Sequence, residues 1–382
     1  MERINIMHLV MTRPQELYGG DAVILSLLQN LNKAKFNSIL VCFLDRKIRE
    51  LPLLLKFAKD IGITVDVVYL KHYFDVIAIF RIRKLLKKYQ VNILHCHEYK
   101  SDIYGFLATI LSRVKKVTTV HGWLGIAKIK KNIKSKIYEY VDATIRRKFD
   151  RVIGVSRRLC DLLIKKGCSP NRVKLVYNGL DFERFKVSNS NDDIRKELNL
   201  TRDVKIIGAV GRLSEEKGYK YLLEAAVQVI KVFPNTLFVI VGDGPLRDKL
   251  LKMASKLNIK NKVIFTGYRR NIIGYISAMD IFVSSSLWEG FGLSLIEAMI
   301  LGKPVITTNV GIVPEFIENN RTGIVINTKN SIELAEAIKK LLSSEKQLRE
   351  IAIAGKELVR NKFSAKEMTK KYEDIYIKLV NS

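Results

Sequence analysis

Cysteine is scarce and dispersed in this chain. The four residues Cys42, Cys96, Cys160 and Cys168 form no C-x-x-C pair in 382 residues, which excludes a disulfide scaffold and a thiolate zinc ribbon and points to reduced, buried thiols. No apolar run reaches the ~18 residues that a membrane span needs. The first ten residues hold neither a long enough apolar stretch nor a small-residue cleavage site, so no secretory leader is expected. Neither a G-x-S-x-G elbow nor a G-x-x-x-x-G-K-[ST] loop occurs, which argues against a serine-hydrolase elbow or a P-loop NTPase. His95 and His97 bracket Cys96 on one face of a strand with no third ligand nearby in sequence, so no metal site is expected. Acid is also short: 38 Asp+Glu stand against 66 Lys+Arg, a net charge of +28. Apolar residues are not short. They make up 48% of the chain, which excludes disorder, and the length calls for two domains.

The basic excess implies a polyanionic partner: nucleic acid, an anionic membrane, or a phosphorylated substrate. It is unevenly spread. Residues 1–186 carry 36 Lys+Arg and 16 Asp+Glu, or +20, and residues 187–382 carry 30 and 22, or +8. Residues 128–148 hold eight basic and two acidic side chains. A second cluster, Arg81-Ile-Arg-Lys-Leu-Leu-Lys-Lys88, has helical spacing. Either cluster alone could be a solvated helix face, whereas two in one half of the chain favour an anionic surface.

Short β-branched runs alternate with amphipathic stretches from end to end. Strands are expected at 4–10, 38–43, 65–68, 93–96, 117–120, 152–155 and 173–176, and again at 204–210, 237–241, 263–266, 281–284, 305–307 and 324–326. Helical patterns lie between them, and the chain is helical after Ser331. Buried runs of this kind separated by helices mean parallel sheets covered on both faces. The polar stretch 187–193 reads as a linker. The expected organisation is a first domain at 1–186, a second at 187–363, and a C-terminal helix at 364–382. Ligands of such sheets bind outside the carboxyl ends of the strands, here in a cleft between the domains.

Several strand-to-helix junctions carry glycine. Glu289-Gly-Phe-Gly-Leu-Ser-Leu-Ile-Glu297 follows a strand and opens a helix, offering backbone N–H groups to a phosphate and two carboxylates to sugar or ribose hydroxyls. Gly211-Arg-Leu-Ser-Glu-Glu-Lys-Gly218 supplies two cations at a turn, one able to fork onto two oxygens and one a point charge, as a diphosphate needs. Gly242-Asp-Gly-Pro245 could be no more than a tight turn into a helix. In the first half, Tyr18-Gly-Gly-Asp21 and His121-Gly-Trp123 follow strands at the end where a substrate would lie.

Together these motifs resemble the family-4 (GT4-type) retaining glycosyltransferases with the GT-B fold: two doubly wound Rossmann-like α/β domains facing a central cleft. The likeness covers essentially the whole chain and is strongest over 204–326, where the E-x7-E pattern at Glu289 and Glu297, the Gly211–Lys217 stretch, Gly242-Asp-Gly-Pro245, Gly302-Lys-Pro-Val305 and Val310-Gly-Ile-Val-Pro-Glu315 occur in the family's order. The resemblance implies a donor site in which Arg212 and Lys217 hold the diphosphate beside Gly211 and Gly242. Glu297 would take the ribose hydroxyls and Glu289 those of the sugar, while the amides of Phe291, Gly292 and Leu293 meet the phosphate or sugar. Gly19 and Gly20 would lie beside the donor phosphates and acceptor, and His121 near the reacting sugar. No metal or other cofactor is implied. Two departures are notable: Ile312 stands where the family often has a second glycine, which would put a branched side chain near the nucleotide, and Asp21-Ala22 replaces Ala-Glu.

The function implied is transfer of a hexose from a UDP- or GDP-sugar to a lipid-linked saccharide or glycolipid in cell-surface polysaccharide or lipopolysaccharide biosynthesis. The protein would be cytoplasmic and peripheral at the inner face of the cytoplasmic membrane, docked by Ile126, Ile129, Ile133, Ile137 and Tyr138 among their lysines. A GT-B phosphorylase or a nucleotide-sugar epimerase is the alternative within the same fold. A basic nucleic-acid-binding protein is the alternative outside it, disfavoured because no aromatic-basic platform accompanies the charge.

Overall fold

The computed structural model describes residues 3–12, 17, 19–48, 50–71, 75–122, 133–186 and 191–382, with 133–139, 191 and 192 described by backbone alone. Its contacts divide the chain into two units. The first takes the described residues up to Leu180 together with 365–382, and the second takes 181–364.

The first unit runs β1 (Ile4–Met11), α1 (Gly19–Asn30), β2 (Phe36–Asp45), α2 (Leu53–Asp60), β3 (Thr64–Leu70), α3 (Val76–Lys88), β4 (Ile93–Cys96), α4 (Tyr99–Thr109), β5 (Lys115–Val120), α5 (Ile133–Arg146), β6 (Arg151–Gly154), α6 (Arg157–Lys165) and β7 (Val173–Leu175). Its strands pair in parallel in the order β3-β2-β1-β4-β5-β6-β7. The central strands are buried on both faces, which is why β1, β2 and β4 are mostly apolar and do not alternate apolar with polar residues. Helix starts are marked chemically: Asp75 accepts from the Ile77 amide ahead of α3, and Ser156 from Leu159 ahead of α6.

One cation of the cluster at 128–148 lies inside this unit. Arg146, at the end of α5, is 3% exposed. It donates to Asp102 at 2.8 Å and pairs with Asp142 at 3.0 Å, while Thr118 donates to the other Asp102 oxygen at 2.6 Å. A buried guanidinium between two carboxylates is a structural ion group. Arg147 donates to the Lys166 carbonyl, and Arg83 to the carbonyls of Leu107 and Ala108. The two basic clusters are therefore not wholly solvated faces.

The second unit runs α7 (Asn191–Glu197), β8 (Lys205–Val210), α8 (Tyr219–Val232), β9 (Thr236–Val241), α9 (Arg247–Lys256), β10 (Val263–Gly267), α10 (Ile272–Ala278), β11 (Ile281–Ser284), α11 (Leu293–Ile300), β12 (Val305–Thr308), α12 (Val313–Phe316), β13 (Ile324–Ile326), α13 (Ser331–Leu342) and α14 (Glu345–Lys362). Its parallel order is β10-β9-β8-β11-β12-β13. Ile207, Phe238, Ile240, Ile281 and Ile306 of the sheet form one core with Leu222, Ala226 and Val229 of α8 and Leu334 and Ile338 of α13. The stretch expected as a linker is partly helical: α7 begins at Asn191, while 187–190 lie outside the described residues.

The last helix, α15 (Ala365–Val380), belongs to the first unit. The Ala365 amide bonds the Leu180 carbonyl at 2.9 Å, and Tyr372 and Tyr376 are buried there.

Candidate active site

In an open parallel sheet the two strands at which the order reverses leave a crevice at their carboxyl ends. In the second unit these strands are β8 and β11, and the two richest motifs follow them. The loops are tied together. Leu287 donates to the Glu216 carbonyl at 2.7 Å, and the Ser285 hydroxyl to the Lys217 carbonyl at 3.0 Å. Gly218 sits at φ +63°, where any Cβ would lie 2.1 Å from the Ser285 carbonyl oxygen. Glycine is required there by both backbone conformation and space.

Lys217 and Glu289 meet across this junction. Lys217 Nζ donates to Glu289 Oε1 at 2.6 Å, with the side chains 20% and 15% exposed. The Ser286 hydroxyl donates to the same oxygen at 2.7 Å. The resemblance assigns these side chains to different parts of a donor, and the structure joins them in one pair. Oε1 is thereby occupied, leaving Oε2 and the other Lys217 protons for a ligand. Gly211 lies under the lysine stem, for a Cβ there would stand 3.1 Å from Lys217 Cε. Arg212 is exposed, and its guanidinium has no partner among the described residues.

Gly292 caps α11 at φ +100°. The amides of Leu293 and Ser294 in the first turn have no intrahelical acceptor, the general condition of a helix start and one that favours an anion. Phe291 is buried, edge-on to Phe363 at 5.6 Å. Glu297 lies one turn further along α11. Its carboxyl makes no hydrogen bond or ion pair among the described residues, and burial pushes its pKa up to about 7, with Arg184 pulling the other way.

Gly242 is held by loop packing. At φ +136° its Cβ would fall 2.1 Å from the Gly211 carbonyl oxygen, and the Gly211 amide bonds the Val241 carbonyl at 3.0 Å. Ile312, the departure from the family's second glycine, is fully buried. Gly311 beside it, at φ +59°, has Glu289 Cβ within 2.8 Å of where its own Cβ would be.

In the first unit the reversal falls between β1 and β4. Gly20 opens α1, and a Cβ there would meet nothing within 4 Å, so neither packing nor conformation demands a glycine. Gly19 is exposed beside it, while Tyr18 and Trp123 lie outside the described residues. His121 follows β5, and burial pushes its imidazole down to about 4. The expectation that His95 and His97 lack a third partner is corrected. His8 on β1 pairs in register with His95 on β4, and ligating nitrogens of His8, His95 and His97 lie within 4.8 Å of one another. Sequence reading missed His8 because strand register is not written in spacing along the chain. The one available signal was an imidazole inside an otherwise apolar strand.

Two all-parallel α/β units, with glycine loops and paired acids gathered at the switch point of the second, define the GT-B class of sugar transferases. Two family models match the chain: "Glycosyltransferase Family 4" over residues 18–184 and "Glycosyl transferases group 1" over residues 190–358. The chain belongs to the GT4 family of glycosyltransferases. It is 29% identical over 312 residues to the UDP-Gal:alpha-D-GlcNAc-diphosphoundecaprenol alpha-1,3-galactosyltransferase of Escherichia coli, covering 80% of each chain. It is 27% identical over 311 residues to the N-acetyl-alpha-D-glucosaminyl L-malate synthase of Bacillus anthracis, covering 79% of each. Among solved structures, Anabaena HepE in complex with UDP and glucose superposes with a TM-score of 0.86 at 21% identity, over 98% of this chain and 100% of that one.

Proposed function

We propose that the protein is a retaining hexosyltransferase that moves a sugar from a nucleoside diphosphate sugar to a lipid-linked saccharide in cell-surface polysaccharide or lipopolysaccharide assembly. The observation that carries this reading is α11. It begins with unpaired amides, follows the Lys217–Glu289 pair, and bears one turn on a half-buried carboxyl without a partner. Such a set suits a ligand with a diphosphate at one end and a vicinal diol at the other. Arg212, Lys217 and the amides of α11 would stabilise charge growing on the leaving diphosphate. Glu297 would accept from the ribose hydroxyls, and Glu289 Oε2 from the sugar. In a front-face transfer the leaving diphosphate takes the acceptor's proton. Cationic side chains and amides supply the charge stabilisation, so the enzyme would need no metal. The lipid-linked acceptor named for the E. coli relative supports the acceptor class.

Membrane docking is part of this proposal. Ile126 and Ile129, expected to dock on lipid, lie outside the described residues, and Ile133, Ile137 and Tyr138 are described by backbone alone. The first unit offers another surface: Val76, Ile77 and Phe80 of α3 are 54%, 46% and 61% exposed, and Leu111 after α4 is 91% exposed. Lys84, Lys87 and Lys88 continue the exposed face of α3. Apolar residues beside lysines suit an anionic lipid surface. Among the described residues no helix is long and apolar enough to cross a membrane.

The test pairs labelled UDP- and GDP-sugars with undecaprenyl-diphosphate-linked acceptors, with and without EDTA. Transfer that survives EDTA and is lost in Arg212→Ala and Glu297→Ala supports the reading. Unchanged transfer in both variants would overturn the site assignment. Donor turnover without an acceptor, giving an epimerised sugar, would favour an epimerase.

A further inference from the structure

Ser285 and Ser286 follow β11 and are both buried, 3% and 2% exposed. Each reaches a different member of the charged pair. Ser285 donates to the Lys217 carbonyl at 3.0 Å, and Ser286 to Glu289 Oε1 at 2.7 Å. The direction of the second bond follows from the groups, because a hydroxyl has one proton to give and a carboxylate only accepts. The Ser284 hydroxyl, at 3.4 Å, donates to Ser286 Oγ, which leaves the Ser286 proton for Glu289. Ser286 is itself held from the neighbouring strand, since the Thr308 hydroxyl at the end of β12 donates to its carbonyl.

Glu289 is thus restrained at both ends of its side chain. Gly311 lies against the stem, for a Cβ there would come within 2.8 Å of Glu289 Cβ. At the tip, Oε1 accepts from Lys217 Nζ at 2.6 Å and from Ser286. A carboxylate oxygen has two lone pairs, so Oε1 is full. Oε2 has no partner among the described residues, and it is not one of the side-chain atoms sealed from solvent. The two donors on Oε1 differ in what else they can do. Lys217 carries an ammonium on a flexible stem, and a diphosphate would draw on its remaining protons. Ser286 is short, neutral and buried, and its proton serves Glu289 alone. When a diphosphate pulls on the lysine, the serine is the donor that stays.

We infer that Ser286 is a positioning residue whose hydroxyl keeps Glu289 turned with Oε2 toward the ligand while Lys217 is engaged by a diphosphate. The inference rests on the donor site proposed above and goes beyond it by separating the two charges. Ser286 serves the sugar end of the donor and leaves the diphosphate end alone. Without the hydroxyl, Glu289 and the diphosphate would compete for one ammonium, and the carboxylate would follow the lysine.

Calorimetric titration with UDP, GDP, UDP-galactose and GDP-mannose tests this. In Ser286→Ala the affinity for the nucleoside diphosphate should stay within about twofold of wild type, while that for the matching nucleotide sugar falls about tenfold, as the loss of one hydrogen bond to a charged group would give. Ser286→Thr, which keeps the hydroxyl, should restore most of that loss. In a Glu289→Ala background, Ser286→Ala should cost no further affinity. Equal losses for diphosphate and nucleotide sugar overturn the inference, because a merely structural serine would give them. So does an unchanged nucleotide-sugar affinity in Ser286→Ala, or a loss that persists in the Glu289→Ala background. Thermal melts without ligand keep the two questions apart. Ser286→Ala should lower the melting temperature by a few degrees in the wild type and leave that of Glu289→Ala unchanged. That coupling, in a wild type that binds none of the four nucleotides, removes the transferase reading and leaves the restraint on Glu289. Nucleotide-sugar binding without the coupling overturns the inference and leaves the transferase reading.

Discussion

Glu297→Gln separates the energetic burden of a half-buried carboxyl from its use. In the folded protein this group titrates at about 7, against 4.5 for an ordinary glutamate. The folded state therefore binds the proton more tightly than the unfolded chain between those values. The stability this contributes is complete below about pH 4.5 and is lost as pH rises through 7. That difference corresponds to roughly 3 kcal/mol, and partial solvent access reduces the expectation to about 1–3 kcal/mol. At about 2–4 °C per kcal/mol for a unit of this size, Glu297→Gln should melt several degrees above wild type at pH 8 and close to it at pH 5. Thermal melts across that range, taken as the difference between the two proteins, cancel the other titrating groups. Binding should respond in the opposite sense. If the ionised carboxylate takes the ribose hydroxyls, wild-type affinity for a nucleotide sugar, whose diphosphate is doubly esterified and does not titrate here, should fall about tenfold from pH 8 to pH 6. The variant should bind more weakly at pH 8 and show no such slope. Parallel melting differences at every pH would refute the burial argument, and a pH slope retained by Glu297→Gln would refute the assignment of the diol to this residue.

Two glycines should behave oppositely when given a methyl group. Gly242→Ala should lose several degrees of melting temperature, because its Cβ would lie 2.1 Å from a carbonyl oxygen at φ +136°. Gly20→Ala should melt like wild type, since its Cβ would meet nothing within 4 Å, yet lose transfer activity if a donor or acceptor closes on that backbone. Phe80→Glu combined with Leu111→Glu should leave stability within about 0.5 kcal/mol, as exposed positions allow, and reduce sedimentation with anionic vesicles several-fold. Equal sedimentation would remove α3 from the docking surface.

The central strands were legible because they are parallel strands buried on both faces of a sheet. Runs such as 281–284 and 324–326 are apolar at almost every position and coincide with β11 and β13. Short helices were less legible. α10 is apolar around most of its circumference and contains Gly274, so it shows no helical stripe, and α7 begins inside a polar stretch that composition alone marks as a linker. Each acid and cation of the candidate site could be named from its motif, but the pairing of Lys217 with Glu289 spans 72 residues and depends on β8 and β11 lying side by side. The meeting of His8 with His95 depends on register in the same way. The basic cluster at 128–148 misled in one respect: Arg146 belongs to it yet is buried between Asp102 and Asp142 and forms no part of a surface patch.

The return of α15 bears on how the protein is made. Chains fold as they leave the ribosome, and N-terminal domains ordinarily complete themselves first. Here the first unit lacks the hydroxyls of Tyr372 and Tyr376, which close on Thr119 and His95, until α15 has been synthesised. The second unit has its whole sheet and helices α7 to α14 by residue 362. The unit that holds β1 is thus completed by the helix that comes after all the others, and a released chain cut at residue 364 would carry a complete second unit and an open first one. Loss of the final eighteen residues would accordingly injure the far end of the sequence, its beginning.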